Sequence, residues 1–272
     1  MAQKHTVAME VYTLITGASA GIGKALAREC AARKMNLLLV ALPGPEFEFE
    51  RQEIVQTFGV KCHIFGIDLT DRNAMCKIHK WVIENNFRIN ILINNVGVGS
   101  KGDFEHTETQ FYEKQLQLNI YAATMLTRHF IEELKANAPA HILNLGSMGG
   151  FYMIPGKTVY AASKAYIYYF SRSLRLELKP HNVVVSVLCP GGTDSNENTI
   201  SINKELKGVA KWSILMPERV AKEAIAKMLK GQARIIPGSI NKLTYHLSRI
   251  VPEFIHRYFI YHAFKHVKKH KY

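Results

Sequence analysis

Seven short apolar runs punctuate the chain: YTLIT from Tyr12, NLLLVA from Asn36, CHIFGI from Cys62, INILIN from Ile89, HILNL from His141, VVVSVL from Val183 and ARII from Ala233. They are rich in Leu and β-branched residues and lack strict polar–apolar alternation, the pattern of strands buried on both faces. Between them, apolar positions recur at helical spacing and predict helices over 22–34, 71–85, 107–135, 159–179 and 217–229. Strand–helix alternation of this kind predicts an α/β fold, a doubly wound parallel sheet of about seven strands. No repeat or break in composition divides it, so residues 1–238 read as one domain. Two stretches depart from the pattern. Residues 194–212 are polar and poorly periodic and read as a mobile flap. Residues 239–272 form an aromatic, basic extension with helical spacing on either side of Pro252.

At 47% hydrophobic residues the chain has enough apolar material for a sizeable core, and disorder is not expected. The four cysteines, Cys30, Cys62, Cys76 and Cys189, lie far apart with no C-x-x-C pair. No metal site or disulfide framework is expected, and a reducing, cytoplasmic setting is. No apolar run is long enough for a signal peptide or a membrane span. The net charge of +13 could serve nucleic acid, an anionic membrane surface or an anionic ligand. Its densest block is the final KHVKKHKY rather than the body of the chain, so nucleic acid is not the expected partner.

The first strand runs directly into Thr16-Gly17-Ala18-Ser19-Ala20-Gly21-Ile22-Gly23, where a helix begins. Gly17 and Gly21 permit a tight turn and close backbone approach, and Gly23 lets the helix pack on the strand. The helix N-terminus then offers free N–H groups to a pyrophosphate. The T-G-x-x-x-G-x-G spacing resembles that of the short-chain dehydrogenase/reductase family, and the resemblance runs from about Tyr12 to Gly238. It implies a Rossmann-type fold and an enzyme that moves a hydride between a nicotinamide dinucleotide and a carbonyl or alcohol. It assigns cofactor contacts to Gly17, Ser19, Gly21, Ile22 and Gly23, and to Asp68 and Leu69 after the third strand. Asn95, in an N-N-V-G version of the family's N-N-A-G, and Thr193, in the P-G-G-T loop after the sixth strand, join that set. Without the resemblance, a helix N-cap before Leu69-Thr70 is the alternative reading of Asp68.

Tyr160-Ala161-Ala162-Ser163-Lys164 places a phenol and an ammonium on one helical face. Free tyrosine titrates near pH ~10, and a cation about 4 Å away contributes about 1–4 kcal/mol toward lowering that value. A second Y-x-x-x-K, Tyr261 to Lys265, has no serine-bearing strand before it and reads as coincidence. The first copy has Ser147 thirteen residues upstream, at the end of HILNL. That distance resembles the family's, and Asn119 falls on its catalytic asparagine. The resemblance then implies four roles. Tyr160 donates the proton, Ser147 holds the carbonyl oxygen, Lys164 binds the ribose hydroxyls and lowers the Tyr160 pKa, and Asn119 supports a water linking Lys164 to solvent. Tyr160 and Lys164 thereby count among the cofactor contacts as well.

The second strand ends in Val40-Ala41-Leu42-Pro43, with no acid for a ribose 2′-hydroxyl. With Lys24, Arg33 and Lys34 nearby, NADP(H) is favoured over NAD(H). Glu46, Glu48 and Glu50 bear on that choice unless they form a solvated helix face. Met148, Phe151, Tyr152, Met153 and Ile154 line either an apolar substrate pocket or the core. The resemblance, closest to the branch with hydroxysteroid and long-chain 3-oxoacyl reductases, implies a lipophilic ketone such as a 3-oxoacyl, keto-sphingoid or steroid-like substrate. The alternatives are a catalytically silent cofactor-binding regulator and a membrane-surface binding protein on the same fold. Tyr166, Tyr168, Tyr169 and Phe170 look exposed, and the family pairs the helices over 107–135 and 159–179, so a homodimer or homotetramer is expected. The extension 239–272 either makes peripheral membrane contact or packs on protein.

Overall fold

Seven parallel strands run in the order β3-β2-β1-β4-β5-β6-β7. They are β1 (Tyr12–Thr16), β2 (Asn36–Ala41), β3 (Cys62–Gly66), β4 (Ile89–Asn94), β5 (Ala140–Leu145), β6 (Val183–Leu188) and β7 (Arg234–Ile235). All seven coincide with the apolar runs. The computed structural model describes residues 10–100, 102–195, 197–205 and 211–251; the second Y-x-x-x-K and the rest of the extension, 252–272, lie outside them.

The helices divide between the two faces. Ile15, Leu37, Leu39 and Ile93 pack against α1 (Gly21–Ala32), α2 (Pro45–Phe58) and the helix Pro217–Leu229. Leu14, Leu38, Val40 and Leu92 pack against α3 (Ala74–Glu84), α5 (Ala122–Ala136) and α6 (Thr158–Leu178). Successive strand residues therefore enter opposite cores, and both cores are apolar. That is why the strands show no alternation in sequence.

Three expectations change. First, a helix forms at α2, begun by Gly44 and by Pro45 at its first position. Glu46 and Glu48 lie on its outer side, but Glu50 is only 1% exposed. Its carboxylate takes Arg28 Nε at 2.5 Å and Lys24 Nζ at 2.8 Å, bolting α2 to α1. Burial by itself pushes Glu50 up, but the Arg28 and Lys24 hydrogen bonds hold it below the usual carboxylate range. Second, the predicted long helix over 107–135 is α4 (Thr109–Leu116), a π-helical turn at Gln117–Tyr121, and α5. Third, part of the stretch read as a mobile flap forms α7 (Glu197–Glu205), with Asn203 Nδ2 donating to Asp194 Oδ1 of the same stretch at 2.8 Å; residues 196 and 206–210 of it lie outside the described residues. Pro217–Leu229 is α8, and Ser239–Ile250, α9, is the described part of the extension.

Glu50→Gln is expected to cost about 1–3 kcal/mol at pH 7, because a buried charged acceptor is lost while its partly exposed partners re-solvate. The folded carboxyl is depressed, so its stabilisation is present above the unfolded value near pH ~4.3 and is lost as pH falls through the folded value. Urea denaturation against pH should show wild type converging on the variant below about pH 4; a constant gap would contradict the ion pair.

Candidate functional site

The strand order reverses between β1 and β4, which opens a crevice at the carboxyl ends of the strands. The glycine loop follows β1 there. Gly17 and Gly21 adopt φ of +67° and +53°, and Ala20 opens α1 with no side-chain cap on its N–H groups. A Cβ on Gly23 would lie 2.0 Å from the Gly17 carbonyl oxygen and 2.4 Å from Asn95 Nδ2, so only glycine lets α1 seat against the strand. This cradle of close backbone and uncapped N–H groups fits a pyrophosphate. Asn95 acts on the loop from behind: its Nδ2 donates to Thr16 O at 3.0 Å and Gly17 O at 3.2 Å.

Asp68 lies on the exposed surface after β3, where its Oδ1 accepts the Thr70 N–H at 2.9 Å. It thus caps a local turn, with α3 starting later, at Ala74. Leu69 is buried in the core under α3. Thr193 is buried and pairs with Leu215 across a short parallel bridge, which holds the P-G-G-T loop. Ser195 covers the glycine loop, its carbonyl oxygen 2.9 Å from where a Gly21 Cβ would lie.

On the other side of the crevice, β5 ends beside Ser147, whose Oγ accepts the Gly149 N–H at 3.0 Å as a short 3₁₀ turn begins. Tyr160 and Lys164 lie one turn apart on α6, with Ser147 close enough to the Tyr160 phenol to favour its ionised form against burial. Lys164 is 4% exposed; its Nζ donates to Leu145 O at 2.8 Å and lies 5.9 Å from the Tyr160 ring centre. Asn119, on the π turn, accepts the Val98 N–H at 2.8 Å and donates to Val98 O and Ser163 Oγ, each at 3.0 Å. A Cβ on Gly97 would sit 2.9 Å from Asn119 Oδ1 and 3.2 Å from Lys164 Nζ. All four residues therefore cluster beside the loop after β4.

Burial acts on both titratable residues of this cluster. It pushes Tyr160 above its ordinary value, with Ser147 opposing. Burial also lowers Lys164, to about 8. The Asn119 side-chain amide is taken up by Val98 and Ser163, so it braces the loop after β4 and α6.

The cations adduced for a 2′-phosphate are also committed elsewhere. Lys24 pairs with Glu50, Arg33 with Glu29 at 2.7 Å, and Lys34 Nζ donates to Phe58 O at 2.8 Å. Leu42 stands exposed at the end of β2. Met148 belongs to the core, as does Phe151, whose ring meets Tyr168 at 4.9 Å and Tyr245 at 4.8 Å. Met153 is exposed, whereas Ile154 is half-buried beside Gly149.

Sequence reasoning missed the polar struts behind the site. Asn94 Nδ2 donates to Asn144 Oδ1 at 2.8 Å and Thr127 Oγ1 at 3.0 Å, and Asn144 Nδ2 donates to Ser171 Oγ at 2.9 Å. The chain links β4, β5, α5 and α6, so it sets the height of Tyr160 and Lys164 against Ser147. Asn241 of α9 reaches back under the P-G-G-T loop, with its Nδ2 donating to Ser213 O and Pro237 O, each at 3.0 Å. An N-N doublet hinted at the first strut; nothing local in the sequence pointed to Asn241.

Residues 12–207 match the profile of the short chain dehydrogenases. The very-long-chain 3-oxoacyl-CoA reductase of Anas platyrhynchos is 30% identical over 187 residues, covering 66% of this chain and 58% of that protein. The chain thus matches less than two thirds of that relative's length. The 3-oxoacyl-acyl-carrier-protein reductase of Aquifex aeolicus is 27% identical over 214 residues, covering 77% and 86%. A short-chain dehydrogenase from Sphingobium yanoikuyae, solved in complex with NADPH, superposes with TM-score 0.77 at 25% identity, covering 89% of this chain and 97% of that one.

A methyl group at the tightest point of the cradle should cost about 1–3 kcal/mol of overpacking. Gly23→Ala is therefore expected to weaken NADPH binding roughly tenfold in a fluorescence titration, with circular dichroism unchanged. Wild-type affinity in the variant would put the dinucleotide somewhere other than this loop.

Proposed function

The chain belongs to the short-chain dehydrogenase family, and from that we propose that this NAD(P)-dependent oxidoreductase reduces a ketone on a lipophilic substrate, with NADP(H) favoured. The observation that carries the reading is the convergence of Ser147, Tyr160 and Lys164 beside the glycine cradle. When bound, the nicotinamide supplies the hydride. Tyr160 O–H gives its proton to the carbonyl oxygen as charge develops there, and the Ser147 hydroxyl holds the same oxygen. A phenol pushed up by burial keeps its proton through neutral pH, which suits a donor in the reductive direction. Lys164 supplies the positive charge behind it, and Asn119 fixes the loop and helix that carry the pair.

The lipophilic substrate is supported by the half-buried Ile154 beside Gly149 and by the 3-oxoacyl reductases among the relatives. NADP(H) is supported by the absence of a carboxylate at Leu42 and by the relative solved with NADPH. The cations named in the sequence no longer contribute to that choice.

NADPH and NADH oxidation should be followed with a panel of 3-oxoacyl thioesters, steroid ketones and short water-soluble ketones. Tyr160→Phe is expected to lose about 10²-fold or more in kcat while binding NADPH as wild type does. Reductive kcat/KM should decline above about pH 8, as Lys164 loses its proton. A variant that keeps a large share of wild-type kcat would sink the assignment of Tyr160.

We also propose self-association through α6 and the α4–α5 segment. Tyr166, Tyr169 and Leu176 on α6 are exposed, as are Leu116 and Tyr121. Tyr168, expected outside, is buried against Phe151 instead, and the proposed surface omits it. Light scattering should give a dimer or tetramer mass at micromolar concentration, reduced by Tyr169→Glu with Leu176→Glu. A monomeric wild-type mass would refute it.

A further inference from the structure

Helix α9 has two faces of opposite character. Its inner face is anchored: Tyr245 is buried against Phe151, and Asn241 donates to Ser213 O and lies against Gly191 of the loop after β6. Its outer face carries Leu243, Leu247 and Ile250, which are 60, 52 and 80% exposed. These positions, i, i+4 and i+7, form one continuous stripe. Beside it runs a second stripe of the same spacing, Lys242, His246 and Arg249, all exposed. The helix contains no acidic residue, and the sequence from 239 to 272 holds one acid, Glu253, against seven Lys and Arg.

Two more exposed apolar side chains come from elements tied to this helix. Trp212, 70% exposed, precedes Ser213, whose carbonyl accepts from Asn241. Met153, 54% exposed, follows Tyr152, which hydrogen-bonds Ser248. Soluble chains rarely leave a continuous apolar patch with a basic border on a packed element unless something covers it. The partner must accept apolar side chains at shallow depth and carry negative charge next to them. An anionic bilayer surface has both properties. Among the described residues no helix is long and apolar enough to cross a membrane, so the contact is peripheral.

We propose that the outer face of α9, together with Trp212 and Met153, docks the protein on an anionic lipid surface. Leu243, Leu247 and Ile250 enter the acyl boundary, while Lys242 and His246 meet the headgroups. Because α9 packs on the 3₁₀ turn that follows Ser147, docking sets the mouth of the crevice at the interface. The proposal does not rest on the substrate reading above.

The test is vesicle flotation of the full-length chain, read without turnover. Vesicles of phosphatidylcholine with about 30% phosphatidylglycerol should carry the wild type at about 0.05 M salt and release most of it at about 0.5 M, where the screening length falls several-fold. Neutral phosphatidylcholine vesicles should carry little. Leu243→Gln with Leu247→Gln and Ile250→Gln, which leaves the charge unchanged, should lower flotation roughly tenfold while NADPH binding and turnover of a water-soluble ketone stay the same. Lys242→Gln with His246→Gln provides a second variant should the triple one fail to fold, and it should lower flotation on anionic vesicles only. Wild type left at the bottom of the gradient would overturn the proposal. So would a triple variant that floats like its parent, which assigns lipid binding elsewhere in the chain. A triple variant that changes only the oligomeric mass, with no flotation by either protein, makes the occupant a second copy and overturns it too.

Discussion

A parallel sheet has to bury both of its faces, and the rest of this molecule is arranged around that requirement. With helices on both sides, every strand points its carboxyl end to the same rim. The connections diverge between β1 and β4, so the rim is open at that point. The glycine loop follows β1, Asn95 and Gly97 follow β4, Ser147 follows β5, and Thr193 follows β6. Residues as much as 174 positions apart in the chain (Gly21 and Ser195) become neighbours because their strands end on one line.

Within this apolar frame a few buried polar side chains hydrogen-bond across elements, and they control the spacing of the site. The Asn94–Asn144–Ser171 chain spans from the strands to α6. Asn119 joins the loop after β4 to α6 through Val98 and Ser163. The same burial acts with opposite sign on the two titratable members of the cluster. It disfavours the ammonium of Lys164 and the phenolate of Tyr160, so the cation is brought down while the acid is pushed up. Both changes favour a phenol that retains its proton.

Surface charge follows a different logic. Lys24 and Arg28 look free in sequence, yet both turn inward to the one buried carboxylate of α2. Together with the Arg33–Glu29 pair and the Lys34 bond to Phe58 O, they leave the end of β2 with Leu42 as its prominent exposed side chain. On α9 the basic residues remain outward, next to leucines that are exposed among the described residues.

Much of this was legible in the chain itself. Buried parallel strands need apolar side chains on both faces, so each of the seven runs marked a strand, and helical periodicity marked most of the helices between them. The glycine loop and the Tyr160–Lys164 pair were legible because each depends on local spacing, a turn or one turn of helix, while Ser147 and Asn119 were marked by the family resemblance. Helix α2 was missed as an element, since its Glu-rich sequence looks solvated until α1 supplies Arg28 and Lys24 from about twenty residues away. The break in the long helix was hidden for a similar reason: Asn119 finds Val98 across space, and periodicity cannot register a side chain that pulls on its own backbone. Chain order by itself determined which residues stand at strand ends, and therefore the kind of site. Only the tertiary structure decided how deeply Tyr160 and Lys164 are buried, which cations are neutralised, and which face of α9 is exposed among the described residues, because those depend on contacts between segments with no sequence relation to one another.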